Sequence, residues 1–244
     1  ELNPSTREDH LLINHSHGAL GKVEVRQALD FAIDKDAIVK TVTFGYGQVA
    51  NSYIPTGALF HYSDNLRRSY DPEKARKMLA DAGASDLTLK YIVNAGDEAD
   101  EQIAVLLQQQ LSKAGVKLDL QKVDPSQSWD MLVSGDYDIS VMYWTNDILD
   151  PDQKTTFTLG HDANQNYMTR YHNDKVKALV SSARVEMEPK KREQMYIDLQ
   201  KMAKTDVNWI DLYYSPYRNV SRKNIKDFYQ NPLGRFFLED TVKE

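Results

Sequence analysis

Three short runs of branched and aromatic residues, separated by two helical patterns, constrain this chain more than any other feature. Leu87–Val93, Val116–Val123 and Asp138–Trp144 each read as a strand. Between the first two, Glu98–Ala114 places Ile103, Leu106, Leu107 and Leu111 on one helical face and stops at Gly115. Between the second and third, Ser126–Ser134 makes a shorter helix before Gly135. Strand and helix in alternation predict an α/β fold with a mostly parallel sheet flanked by helices. Ile139, Val141, Met142 and Tyr143 run nearly continuously apolar, as expected for a strand buried on both faces.

The remaining chain fills in around that unit. Leu11, Leu12 and Ile13 centre a strand within Asp9–His15. Val25, Ala28, Leu29, Ala32 and Ile33 fall at helical spacing, and Asp34 suits the cap of a second helix with Ala37, Ile38 and Val42 inward. Gly45 and Gly47 flank Tyr46 in a turn, and residues 51–69 lack a steady period and read as loop. Asp71, Pro72 and Gly83 punctuate the next helix as cap, first turn and stop. Helices are predicted over Asp152–Leu159, Asp174–Glu186 and Pro189–Lys204, the last with Met195, Leu199 and Met202 inward, and a strand over Trp209–Tyr214. The tail from Ser215 is mixed, with an aromatic cluster at Phe228, Tyr229, Phe236 and Phe237.

Composition removes several function classes. A chain of 244 residues suffices for one large domain or two small ones. Its net charge of −6, with no basic patch, argues against nucleic acid as a partner. No cysteine is present, so disulfides, thiol catalysis and cysteine metal sites drop out. No apolar run approaches the length of a membrane span. Serine-hydrolase elbow, zinc-protease, phosphate-loop and dinucleotide fingerprints are absent.

Several blocks, taken in order, resemble one family. They are VRQALDFAIDKDAIVKTVTFGYGQVANSYIP from Val25 to Pro55, YDPEKARKMLADAG from Tyr70, NQNYMTRYHNDKV from Asn164 and EPKKREQMYIDLQKMAKTDVNWIDLYYS from Glu188. Together they are similar to the family 5 extracellular solute-binding proteins, which deliver peptides, nickel chelates and related solutes to ABC importers. The resemblance implies a type II periplasmic-binding-protein-like lobe. Family members carry a long first region ahead of the first block, and here 24 residues precede Val25. The implied organisation is a hinge strand and remnant of the first lobe over residues 1–22, the second α/β lobe over 23–208, and a returning hinge strand and first-lobe tail over 209–244. The hinge crossings would match Leu11–Asn14 and Trp209–Ser215. The implied partners are a peptide or other small-molecule ligand and a membrane ABC permease, in the periplasm or on the outer cell face, with no cofactor. Exposed hinge strands would favour self-association.

The best candidate site is WTNDILDPD, Trp144–Asp152, at the carboxyl end of the third strand. Ligands of open α/β sheets bind in the crevice at such ends. A carboxylate there suits an ammonium group, and an indole suits apolar surface or a cation. In the peptide-binding branch of the family, a Trp is followed three residues later by an Asp that takes the peptide α-amino group, and Trp144 and Asp147 have that spacing. Asp150 and Pro151 match the Asp-Pro that follows in many members, whereas Ile148 and Leu149 depart from the smaller or more polar residues often found between. The resemblance thus implies a ligand set of Trp144, Thr145, Asn146, Asp147 and Asp150. Asp150 and Asp152 are equally suited to capping a helix around Pro151. Arg170 and Tyr171 are weaker candidates on a loop. His10, His15 and His17 lack a companion carboxylate at metal-ligand spacing and read as packing or solvated side chains. The alternatives are a binder of nickel chelates, opines or oligosaccharides on the same fold or, in another class, a hydrolase using Asp147 and Asp150 as acid and base.

Overall fold

The computed structural model describes residues 2–160 and 167–244. Its centre is a six-stranded sheet in the order β3-β7-β2-β6-β4-β5. The strands are β2 (Glu8–Ile13), β3 (Gln48–Val49), β4 (Thr88–Asn94), β5 (Lys117–Val123), β6 (Ile139–Trp144) and β7 (Trp209–Tyr214). β4 pairs in parallel with β5 and β6, while β2 lies antiparallel between β6 and β7. It follows that β4, β5, β6 and β7 point one way and β2 and β3 the other. The sheet is mixed: four of its six strands point the same way, with β4, β5 and β6 pairing in parallel as the alternation predicts, while the pairs that involve β2 and β3 are antiparallel.

Helices cover both faces. On one side lie α1 (Val23–Phe31), α2 (Lys35–Val42), α3 (Pro72–Asp81) and α4 (Glu98–Lys113), burying Leu29, Ile38, Leu79 and Leu107 against Leu11, Tyr91, Ile139 and Ile210. On the other lie α5 (Pro125–Ser134), α6 (Asp152–Leu159), α7 (Asp174–Val185) and α8 (Pro189–Asp206), burying Leu132, Leu159, Val180 and Leu199 against Leu12, Ile92 and Trp209. Each fully buried aliphatic side chain contributes about 1.5–3 kcal/mol, so the two layers together hold the sheet.

The predicted punctuation operates as drawn. Asp34 accepts from the Ala37 amide at 3.0 Å and Asp71 from the Lys74 amide at 2.9 Å. Gly83 follows α3 at φ 71°, a left-handed conformation that a Cβ disfavours.

Three faces differ from the reading above. In α2 the buried set is Lys35, Ile38 and Val39, with Ala37 half-buried, because Lys35 turns inward to pair with Asp30. In α8 Tyr196, Leu199 and Ala203 carry the core and Met195 and Met202 flank it. β6 is buried on both faces only through Val141; Tyr143 is 49% exposed, because the strand runs past the edge of the helical layer.

The tail forms small two-stranded pieces: β1 (Leu2–Asn3) pairs with β8 (Tyr217–Arg218), β9 (Ile225–Lys226) with β12 (Val242–Lys243), and β10 (Tyr229–Gln230) with β11 (Phe236–Phe237). The aromatic cluster is real: Phe228 meets Phe236 at 5.4 Å and Tyr229 meets Phe237 at 5.7 Å between ring centroids. No helix among the described residues is long and apolar enough to cross a membrane.

Candidate ligand-binding site

The parallel strands β4 and β6 end side by side, and a cavity of about 710 Å³ opens at their carboxyl ends. Its wall runs from Asn94 through the turn at Gly96 to Asp97, then across Tyr143 to Arg7 and Tyr213. Asp97 caps α4, accepting from the Ala99 and Asp100 amides at 3.0 Å each, so those two helix donors are already satisfied. Arg7 is held rigidly. Its Nε lies 2.9 Å from Asp9 Oδ2, its Nη2 lies 2.7 Å from Asp9 Oδ1, and its guanidinium stacks 4.0 Å from the Tyr143 ring centroid. Burial pushes the Asp9 carboxyl up, against the pull of Arg7. Asp100 lies deeper in the same wall. Burial raises it although Tyr91 Oη, the Asn94 amide and Asn94 Nδ2 all donate to it.

Alternation along β6 sends Tyr143 to this cavity and Trp144 to the opposite face. There the Trp144 indole meets the Tyr167 ring edge-on at 4.9 Å and the Phe157 ring at 5.7 Å. The chain then leaves the sheet. Thr145 is exposed, and Asn146 is buried with its amide donating to Thr6 Oγ1 at 3.0 Å. Asp147 is exposed. Gln153 Nε2 donates to its Oδ2 at 2.6 Å, and the Asp147 amide donates to Gln153 Oε1 at 3.2 Å. A carboxylate oriented by one neutral amide, with its other oxygen facing outward, can accept a charge-assisted hydrogen bond from a cation.

Asp150 has a different setting. Arg192 of α8 grips it with both nitrogens, at 2.8 and 2.9 Å, and the Asp152 amide donates to Asp150 Oδ1 at 2.9 Å. Those Arg192 bonds hold its carboxyl below the usual carboxylate range. Trp144, Thr145, Asn146 and Asp147 thus follow one another at the end of β6, outside the lining of the 710 Å³ cavity. Trp144, Asn146 and Asp147 have separate partners, and Asp150 is tied to the scaffold at the start of α6. Tyr171 donates to Asp206, and Arg170 donates to the Met168 carbonyl. Residues 164–166 of the NQNYMTRYHNDKV block lie outside the described residues.

Sequence reasoning passed over Arg7, Asp9 and Tyr143 as site residues, and also Glu8 and Lys154 below Trp144, and it read His10 there only as a packing or solvated side chain. Glu8 is fully buried. Its Oε2 lies 2.9 Å from Lys154 Nζ and 2.8 Å from His10 Nδ1. Burial opposes ionisation of Glu8, but Lys154 and His10 outweigh it and hold the carboxyl down. A signal was present: polar residues at two-residue spacing, Arg7 with Asp9 and Glu8 with His10, entering an apolar strand. His15 hydrogen-bonds the Asn208 carbonyl at 2.9 Å, and His17 lies 3.0 Å from Asp138.

Comparison with known proteins places this geometry. The sequence model of the bacterial extracellular solute-binding proteins, family 5 (middle), matches residues 2–191. The chain is 25% identical over 235 residues to the probable D,D-dipeptide-binding periplasmic protein of Escherichia coli K12, covering 94% of this chain and 45% of that protein. It is 27% identical over 233 residues to heme-binding protein A of Haemophilus influenzae, covering 92% of this chain and 42% of the other. Among solved structures, HbpA2 from Haemophilus parasuis superposes with a TM-score of 0.88 at 25% identity, over all of this chain and 49% of that one. The chain thus spans about half the length of the relatives it matches. Matched over most of its length, and with the fold of such a protein, it belongs to the family 5 bacterial extracellular solute-binding proteins.

Proposed function

We propose that this chain is the ligand-closing half of a peptide-type solute-binding protein that serves an ABC importer from the periplasm or the outer cell face. It binds and carries, and does not catalyse. The observation that carries the reading is Asp147, an exposed carboxylate three residues past the end of a strand that runs parallel to β4, oriented by Gln153. Asp147 anchors a ligand amine, Trp144 packs on the ligand, Thr145 adds a polar contact, and the buried Asn146 fastens the segment to Thr6. The dipeptide named for the Escherichia coli relative has the required ammonium group. Asp150 contributes by fixing the segment through Arg192, a support role that its two bonds favour.

The same proposal divides the chain by lobe. Residues 1–22 and 209–244 carry the hinge strands and a portion of the first lobe, and residues 23–208 form the second lobe. The pairing of β1 with β8 outside the main sheet supports this division. Ligand between the lobes stabilises the closed state by its differential affinity for it, and that state engages the permease. Calorimetry on the two-lobed parent tests the anchor: Asp147→Asn is expected to weaken a dipeptide at least tenfold while leaving the folding stability nearly unchanged. Unchanged dipeptide affinity would remove Asp147 from the site. The chain alone is expected to fold and to bind the same dipeptide weakly, since half the cleft is absent; tight binding would count against the two-lobe account.

A further inference from the structure

Beneath Trp144 lies a group of polar atoms without a hydrogen-bond partner among the described residues. β2 and β6 run antiparallel with Glu8 opposite Trp144 and His10 opposite Met142. Alternate residues share a face, so Glu8 and His10 form one column and Met142 and Trp144 the column beside it, with Cβ atoms across the pair about 4.5–5.5 Å apart. The Asn146 amide bound to Thr6 Oγ1 continues the contact past the strand ends. α6 closes the enclosure through Lys154, and Trp209 stacks on His10 at 3.8 Å between centroids.

Within this space Glu8 Oε1, His10 Nε2, Trp144 Nε1 and Asn146 Oδ1 are all buried and have no partner among the described residues. Buried polar atoms in native proteins are almost always paired with protein or ordered water. Three such atoms on adjoining positions of two paired strands, with a fourth two residues past the end of one of them, point to a shared partner.

The chemistry of the four atoms identifies it. Trp144 Nε1 only donates, while Glu8 Oε1 and Asn146 Oδ1 only accept. His10 Nδ1 faces Glu8 Oε2, so with the ring proton there Nε2 also accepts. The partner must accept at least one hydrogen bond and give at least two. An ammonium group cannot accept from the indole, an anion would face Glu8, and a metal cation would face Lys154 at 2.9 Å from the same carboxylate. Water fits, since buried waters make about three such bonds. We infer that the space under Trp144 is an internal site for ordered water, bridging hinge-side strand β2 to the Trp144–Asn146 segment. The water is a structural constituent that orients Trp144 and Asn146 from below, and it stays when the cleft above fills.

The test is a crystal structure of this chain at a resolution that resolves solvent, solved free and with a dipeptide. Expected is a water peak within about 3.2 Å of Trp144 Nε1 and of at least two of the other three atoms, in both forms. The inference is overturned by direct protein contacts that satisfy the four atoms without solvent, by an ion in that position, or by a ligand atom replacing the peak in the bound form. In solution, the Trp144 indole N–H is expected to give a water cross-peak with the sign of a long-lived site; a cross-peak of surface-water sign would also overturn it.

Discussion

The two faces of the central sheet are built to different ends. β2, β6 and β7 send Leu11, Ile13, Ile139, Val141, Ile210 and Leu212 to the α1–α4 side, a layer that is apolar up to its edge, where Asp9 pairs with Arg7. The same three strands send Glu8, His10, Ser140 and Asp211 to the α5–α8 side, where Lys154 and Lys204 meet the two carboxylates at 2.9 and 2.8 Å. The apolar face supplies stability that tolerates small shape changes. The polar face supplies position: each charge there has one geometry that leaves it paired, so the segment above it is held in register. The lesson is that the site rests on the face that costs most to build.

That contrast can be broken from either side. Lys154→Met alone is expected to have the largest effect, about 3–5 kcal/mol of lost stability, because it leaves Glu8 fully buried with His10 as its one remaining partner. Adding Glu8→Leu should recover much of it; a double variant worse than Lys154→Met in denaturant unfolding would contradict this picture of the polar face. On the apolar face, Leu107→Ala is expected to cost about 2–5 kcal/mol, mainly as a cavity, with no recovery from a neighbouring charge change. At the site, Asp150→Asn should cost about 1 kcal/mol by weakening a half-buried grip on Arg192. Asp147→Asn should shift the unfolding midpoint by less than about 0.5 kcal/mol. If Asp147→Asn proves the more destabilising of the two, the division between anchor and support is reversed.

Acid sharpens the comparison further. Burial, with Arg26 nearby, holds His15 down to about 3 from 6.5. The unfolded chain binds that proton below about pH 6.5 and the folded one only near pH 3, so stability present above pH 6.5 is lost as pH falls toward 3. The loss is at most about tenfold in the folding constant per pH unit. NMR titration of the His15 ring should show no midpoint between pH 5 and 7; a midpoint there would show that His15 is hydrated.

How much of this was legible depended on range. Caps and stops act within three or four residues, so Asp34, Asp71 and Gly83 could be read directly. The Trp209–Tyr214 strand matched to the residue. Inward faces were read less well where a charge was buried: Lys35 goes inside because Asp30 and Arg68 build a buried network with it, and hydrophobic periodicity counts lysine as surface. The site was legible in location but not in roles. Asp147 and Asp150 are the same residue type in one loop, and what separates them is Arg192, 42 residues beyond Asp150. Arg7 with Tyr143 was hidden for the same reason, since the contact exists only once β2 lies beside β6.

The strand order also bears on how the molecule comes into being. β2 and β7 are neighbours at the middle of the sheet, yet they come from residues 8–13 and 209–214. β4, α4 and β5 can assemble from one continuous stretch, whereas β2 acquires its second edge only after nearly two hundred further residues exist. Long-range closure of this kind slows folding. During synthesis β2 waits with an unpaired edge and a buried-type glutamate still in water, which makes this chain a candidate client for holding factors until its last strand emerges.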